Sequence, residues 1–306
     1  MKTVFSVWER IWGEPMKKVR TSAALGLFDG VHLGHRAVLK EALAQKQNGL
    51  QPCAFTFSPE SSAGKGAKFI YGKAEKEYII REICLIEEIY SHDFEDICGM
   101  DGETFAKEIL CGEMNAAHVV CGKDFRFGTG ASCGTDDLAG FGRKYGFTVQ
   151  TVEDVCLGGE RVSSTEIRRF LSAGELRRAN LFLGKPYMIM KEVSHGAQLG
   201  RTLGFPTANQ VFESGQLVPK FGVYASRTLA DGKWYPSMTN IGVKPTVEYG
   251  GAPLAETYIH GFSGDLYGRA LQVVLLDFIR AEKRFASVDE LRDQISSDVN
   301  AAVNAL

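Results

Sequence analysis

Over residues 22–152, short apolar runs alternate with stretches whose apolar positions recur every three to four residues. The runs AALGLF, CAFTF, AHVVCG and FTVQTV read as buried strands, and HRAVLKEALAQKQ, EKEYIIREICLIEEI and GETFAKEILCG between them carry helical spacing. Strand and helix in alternation predict a mostly parallel α/β sheet of Rossmann-like type. Two further helices are predicted over 165–171 and 175–183, with Gly174 as the stop between them.

After Gly184 the texture changes. The segments YMIMKEVSH, GVYASRTL, WYPSMTNIG, LAETYIHGF and ALQVVLLDFI are strand-like and separated by turn residues, and helical spacing returns only from about Val288. This predicts an antiparallel β domain of barrel type closed by a C-terminal helix. Pro186 interrupts the preceding helical pattern, which puts the boundary after Gly184 and gives domains 1–184 and 185–306. There is no internal repeat and no low-complexity tract.

Composition narrows the partners. The 306 residues are 44% hydrophobic and 24% charged, enough for two medium cores. A formal net charge of -2 with no run of Lys and Arg offers nothing to neutralise a nucleic-acid backbone or an anionic membrane, so a small-molecule partner is expected. Glu9, Arg10, Glu14 and Lys17 interrupt the stretch a secretory signal would need, and no run of about 18 apolar residues occurs. The seven cysteines are odd in number, widely spaced and never C-x-x-C, which suits reduced thiols in the cytoplasm and argues against a zinc site. Oligomeric state is not legible.

The candidate chemistry begins where the first strand ends. Gly26, Phe28, Asp29 and Gly30 form G-x-F-D-G, followed at once by His32, Gly34 and His35 as H-x-G-H. In a parallel α/β sheet ligands bind at this strand-to-helix turn, where Gly30 and Gly34 admit a phosphate and the helix start offers unpaired N–H groups. One histidine near a helix start is ordinarily a cap or a surface residue. Two at this spacing can donate to phosphate oxygens as charge builds during transfer. The segment resembles the H-x-G-H adenylyltransferase superfamily, which also contains class I aminoacyl-tRNA synthetases and cytidylyltransferases.

Two later segments narrow the substrate. Ser163, Ser164, Thr165, Glu166, Ile167 and Arg168 resemble an S-S-T-x-I-R motif. In it Thr165 would cap the helix, Ser164 would meet phosphate, and Arg168 would stabilise the triphosphate. The stretch around Asp124, Phe125, Arg126, Phe127 and Gly128 resembles the G-x-D-F-x-F-G segment of bacterial FAD synthetase domains, in which Asp124, Phe125 and Phe127 shape the adenine and flavin environment. Without that context F-x-F is as well explained by core packing.

From Tyr187 onward the chain resembles riboflavin kinase. Gly200, Arg201, Gly204, Phe205, Pro206, Thr207, Ala208 and Asn209 fill the motif G-R-x-L-G-F-P-T-A-N, and Asn240-Ile241-Gly242 and Pro245-Thr246 follow it. The resemblance implies that Thr207 and Asn209 coordinate Mg²⁺ at the phosphates of ATP and that Glu256 is the base for the ribityl hydroxyl. It also implies that Asp265-Leu266-Tyr267-Gly268 and Arg280-x-Glu282-x-x-Phe285 fix a flavin-facing loop and the helix over it. No segment reads G-x-x-x-x-G-K-[ST], so an ordinary P-loop NTPase is excluded.

With both halves in this order, the chain from about residue 22 to 302 resembles the bacterial bifunctional riboflavin kinase and FAD synthetase family. The activities implied are riboflavin and ATP to FMN, then FMN and ATP to FAD with release of pyrophosphate. There are departures. Pro59-Glu60-Ser61 replaces P-H-P, Ala131 stands near a usual basic residue, Lys191 replaces a common Gly, and E-T-Y-I-H-G-F at 256–262 replaces E-T-H-I-x-D-F. The changes at Glu60 and Ala131 leave open a kinase whose adenylyltransferase has decayed, and a non-catalytic flavin-binding module is a second alternative. A tRNA-charging fragment is disfavoured by the absence of K-M-S-K-S.

Overall fold

A computed structural model of the chain describes residues 19–62, 68–195, 204–243 and 251–304. Strands β1 (Thr21–Leu25), β2 (Gln51–Phe57), β3 (Glu88–His92), β4 (Ala116–Gly122) and β5 (Thr148–Val152) form a parallel sheet in the order β3-β2-β1-β4-β5. Central β1 is buried on both faces because its residues are small. Ala24 packs with Leu39 and Ala42 of helix α1 (Leu33–Ala44), and Ala23 packs with Phe105, Ala106 and Leu110 on the opposite face. Strand order reverses between β1 and β4, so the crevice at their carboxyl ends is the expected ligand position.

The helix predicted over 75–89 is wrong in its second half. Helix α2 (Lys73–Tyr78) continues as one π-helical stretch, Ile79–Ile83, in which Cys84 N–H bonds to Ile79 O. Leu85 then turns left-handed (φ 59) and β3 begins three residues later. The apolar spacing of IIREICLIEEI fits either element, and only the break at Leu85 separates them. Beyond β4 lie α3 (Thr135–Tyr145), the two-residue strands β6 (Cys156–Leu157) and β7 (Glu160–Arg161), and helices α4 (Ser164–Ala173) and α5 (Leu176–Leu183). The cap of α4 is Ser163, whose hydroxyl accepts from Glu166 N–H at 3.3 Å, and not Thr165 as expected. Of three consecutive hydroxyl residues, the first has the extended backbone a cap requires (φ -148, ψ 156). Gly174 and Gly184 end the two helices at φ 81 and φ 66.

The remaining strands are β8 (Tyr187–Glu192), β9 (Thr207–Val211), β10 (Gly222–Ala230), β11 (Lys233–Val243), β12 (Pro253–Ile259) and β13 (Ala270–Arg280). They form an antiparallel sheet in the order β8-β13-β10-β11-β12-β9, curled so that an isolated bridge between Ser194 and Asn209 links the end of one edge to the other. The result is a half-barrel closed by helix α6 (Val288–Asn304), which packs Val299 and Ala302 against Val223, Ala225 and Met238. The interior is partly polar, and its hydroxyls satisfy one another. Ser226 pairs with Thr239 at 2.8 Å, Thr239 with Thr257 at 2.9 Å, and Ser237 donates to Thr228 at 2.8 Å. Strand β9 begins inside G-F-P-T-A-N and is not announced by the sequence, because five residues ending in Asn-Gln-Val show no clear alternation.

Candidate active sites

A cavity of about 870 Å³ opens at the carboxyl ends of β1, β2 and β4. Three sequence motifs line it together: Gly26, Phe28, His32, Gly34 and His35 from the first, Asp124, Phe125 and Phe127 from the second, and Ser163, Ser164 and Thr165 from the third. His32 is the N-cap of α1, its Nδ1 accepting the His35 N–H at 3.4 Å, so its remaining proton sits on Nε2. The rings of His32 and His35 stack with centroids 3.6 Å apart. Gly34 is required beside them, since a Cβ there would meet the His32 ring at 3.1 Å. The loop is strained as well as tight: buried Phe28 and Val31 both adopt positive φ, at 49 and 42.

Burial lowers both histidines, His32 to about 4 with Arg161 and Arg168 adding to the effect, and His35 well below its ordinary range with His32 and Lys76 adding. They are therefore neutral donors at neutral pH. His35 Nδ1 is buried with no hydrogen-bond partner in the protein, an arrangement that suits a polar ligand atom. The start of α4 supplies N–H groups at the same cavity, a ready anion site.

Asp29, Gly30 and Arg168 belong to the same motifs but do not line the cavity. The Asp29 carboxylate accepts from Ile70 N–H at 2.8 Å and from Arg168 Nη2 at 2.5 Å, and its carbonyl accepts from Ser164 Oγ at 2.8 Å. Burial raises the Asp29 carboxyl, opposed by the Ile70 N–H, Arg168 and Lys76. This pair fastens the first motif to the third from behind.

In the half-barrel, Glu256 on β12 is the register partner of Asn240 on β11 and of Asn209 on β9, which sets the three side chains in one row on one face. Thr207 lies on that face two residues from Asn209. Asn209 is 5% exposed and its Oδ1 has no hydrogen-bond partner, while its backbone carbonyl is fixed by the N–H and the hydroxyl of Ser194 at 2.9 and 3.2 Å. A buried side-chain amide oxygen with no protein partner fits a hard divalent cation. Gly204 is left-handed (φ 88) and Pro206 is exposed beside the row. Gly200, Arg201, Pro245 and Thr246 lie outside the described residues. Arg280, placed by the resemblance among the residues that fix the helix over a flavin-facing loop, is bonded to that helix: Asp298 of α6 accepts from its Nε at 3.0 Å and from its Nη2 at 2.6 Å.

Residues 14–166 match the family model of FAD synthetase and residues 183–306 that of riboflavin kinase. The chain is 35% identical over 290 residues to a Pseudomonas fluorescens bifunctional riboflavin kinase/FMN adenylyltransferase, covering 92% of this chain and 91% of that protein. It belongs to that family. The Escherichia coli (strain K12) bifunctional riboflavin kinase/FMN adenylyltransferase is 37% identical over 282 residues, covering 90% of this chain and 89% of its own. A Streptococcus pneumoniae structure described as a macrolide-efflux protein is also similar, with 29% identity, a TM-score of 0.80, and coverage of 94% and 95%. No helix among the described residues is long and apolar enough to cross a membrane.

Several site residues of this family member escaped the sequence reading. Arg161 lines the cavity and pairs with Asp124 at 2.5 Å and Asp154 at 2.9 Å. Its signal was its position two residues before Ser163. Phe57 at the end of β2 and Phe94 and Ile97 of the short helix Phe94–Ile97 build an apolar wall from two separate elements, which no local pattern announces. The departure at Pro59-Glu60-Ser61 has a structural consequence here: Ser61 Oγ accepts the Phe94 N–H at 2.9 Å and pairs with Ser58 at 2.7 Å, tying that wall in place. Ala131 lines the cavity at φ 58.

Proposed function

We propose that the two activities of the family, riboflavin kinase and FMN adenylyltransferase, divide at residue 184, with adenylyl transfer in the cavity of the parallel sheet and phosphorylation on the row across β9, β12 and β11. The protein is a bifunctional flavin-cofactor enzyme. Its substrates are riboflavin, FMN and ATP.

In the first reaction the Glu256 carboxylate takes the proton of the ribityl hydroxyl as that oxygen attacks the γ-phosphate, the bond to the β-phosphate breaks and ADP leaves. Thr207 and Asn209 are the residues that would hold Mg²⁺, which would offset the charge on the phosphates. Asn240 orients the flavin side of the row. In the second reaction the FMN phosphate attacks the α-phosphate of ATP and pyrophosphate leaves. His32 Nε2–H and His35 donate to phosphate oxygens as charge accumulates, and the first N–H groups of α4 add fixed positive potential. Phe57, Phe94 and Phe125 form the apolar wall against which the flavin ring rests. Arg161 sits at the same cavity, ready to exchange its carboxylate partners for phosphate. Seven free thiols suit a cytoplasmic enzyme.

The observation that carries this reading is the convergence of three distant motifs on one cavity with both histidines inside it. That convergence favours an active adenylyltransferase over a decayed one, despite the changes at Glu60 and Ala131. Chromatography of riboflavin incubated with the protein, ATP and Mg²⁺, repeated from FMN, tests it. FMN followed by FAD, with FMN alone also converted, is expected. Accumulation of FMN without FAD refutes the second activity, and no conversion from either flavin refutes catalysis.

A further inference from the structure

The segment 68–72 is bonded on both sides. Toward the parallel sheet, Ile70 N–H donates to Asp29 Oδ1 at 2.8 Å and Lys68 O accepts from Arg168 Nε at 2.8 Å, and Arg168 Nη2 closes the triangle on Asp29. Ile70 also packs beneath the left-handed Gly30, where a Cβ would lie 3.0 Å from Ile70 Cδ1. Toward the half-barrel, Phe69 forms a parallel bridge with Gln216: its N–H donates to Gly215 O at 3.2 Å and its carbonyl accepts the Leu217 N–H at 2.7 Å. Ile70 O accepts from Tyr187 Oη at 3.3 Å. Tyr71 stacks on Tyr187 with centroids 5.2 Å apart, and its Oη accepts from Lys185 Nζ at 2.8 Å and Met188 N–H at 3.3 Å. The two backbone polar atoms of one buried residue, Ile70, thus serve the two units: the N–H holds Asp29, and the carbonyl is held by Tyr187.

We infer that segment 68–72 is a positioning element for adenylyl transfer and that the kinase unit sets it: Tyr187, Gly215 and Gln216 orient the Asp29–Arg168 pair, and through it the loop bearing His32 and His35. None of these three kinase-unit residues lines the adenylyl-transfer cavity. The inference deepens the proposed function and rests on its assignment of the His32 and His35 loop. The physical reason is stiffness. A backbone bridge and directed hydrogen bonds fix Ile70, hence Asp29, and a loop displaced by about 1 Å from productive geometry costs on the order of 10²-fold in rate. Interdomain packing alone would need none of these bonds to fall on the residue that carries Asp29.

Two substitutions in the full-length protein test it, both scored for both reactions. Tyr187→Phe keeps the stacked ring and deletes the bond to Ile70. Gly215→Ala strains a left-handed position (φ 80) and brings a Cβ to 3.2 Å from the Phe69 ring. For FMN adenylylation we expect kcat to fall about threefold and about tenfold respectively, with KM for FMN within twofold. Riboflavin phosphorylation in the same samples should stay within twofold, which also shows that the variants fold. Asp29→Asn is measured alongside. Unchanged adenylylation in Tyr187→Phe and Gly215→Ala, with loss in Asp29→Asn, overturns this inference alone. Unchanged adenylylation in Asp29→Asn overturns the role given to the loop. Parallel loss of both reactions in Tyr187→Phe or Gly215→Ala overturns the inference too, because it marks general damage.

Discussion

His32 and His35 stack face to face, 3.6 Å between ring centroids and 19° between planes, and the His35 N–H is bonded to His32 Nδ1. At that separation two imidazolium ions would repel by about 5 kcal/mol even at an effective dielectric of 20. The pair is therefore neutral at neutral pH, and in the proposed adenylyl transfer it acts through its N–H groups as a neutral donor where charge develops.

The same pair makes stability depend on pH. His32 is lowered to about 4 by burial, from an ordinary 6.5 in the unfolded chain. The unfolded state thus binds a proton that the folded state refuses, so stability is complete above about pH 6.5 and is lost as the pH falls toward 4. At pH 5 the cost from His32 is about 2 kcal/mol. Denaturant unfolding at pH 7.5 and pH 5 should show His32→Gln losing less on acidification than the parent by that amount.

Replacing either histidine by Ala should cut FAD formation by about 10²- to 10³-fold, the usual effect of removing a donor to a developing anion. FMN formation from riboflavin should persist in both variants. The ratio of the two products in one chromatogram is the measurement, and loss of FMN formation as well would contradict the division of labour between the units.

Glu256 faces Asn240 and Asn209 across two strand pairs, in a register that fixes its carboxylate on the row. Glu256→Gln keeps the size and hydrogen-bonding capacity but removes the basicity. Riboflavin turnover should fall by about 10²- to 10⁴-fold with little change in riboflavin affinity, and conversion of FMN to FAD should be untouched. Binding by flavin fluorescence and turnover by product analysis separate the two effects, and unchanged turnover would remove Glu256 from the mechanism.

Legibility followed the range of the interactions. His32 and Gly34 could be read because a cap, a glycine contact and a helix start are all local. The row from Asn209 to Glu256 was named residue by residue from its resemblance to a family, but its register was not, since pairing between strands about 47 residues apart leaves no local trace. Strand β3 was hidden because Ile89 continues the apolar spacing of the helix before it. Thr165 was mistaken for the cap because backbone angles, not residue type, choose among adjacent hydroxyls. Phe94 joined the cavity through a bond to Ser61, 33 positions away in sequence. In each miss the deciding contact was either long-range or conformational.

Arg280 shows how a motif residue can act one step removed from ligand. Its guanidinium is committed to Asp298, which is 3% exposed and also accepts from Gln294 at 2.9 Å. Asp298→Ala would strand a largely buried cation and unfasten α6 from β13, so stability should fall by about 2–4 kcal/mol. If the helix covers the flavin side of the row, as the family resemblance implies, the KM for riboflavin should rise with it. Replacing both partners, Arg280→Met with Asp298→Leu, removes the stranded charge and should recover most of the stability. If Arg280 only fastens the helix, the double variant recovers the KM as well. If Arg280 touches flavin, stability returns and the KM does not, a split that thermal unfolding and initial-rate kinetics on the same two variants resolve.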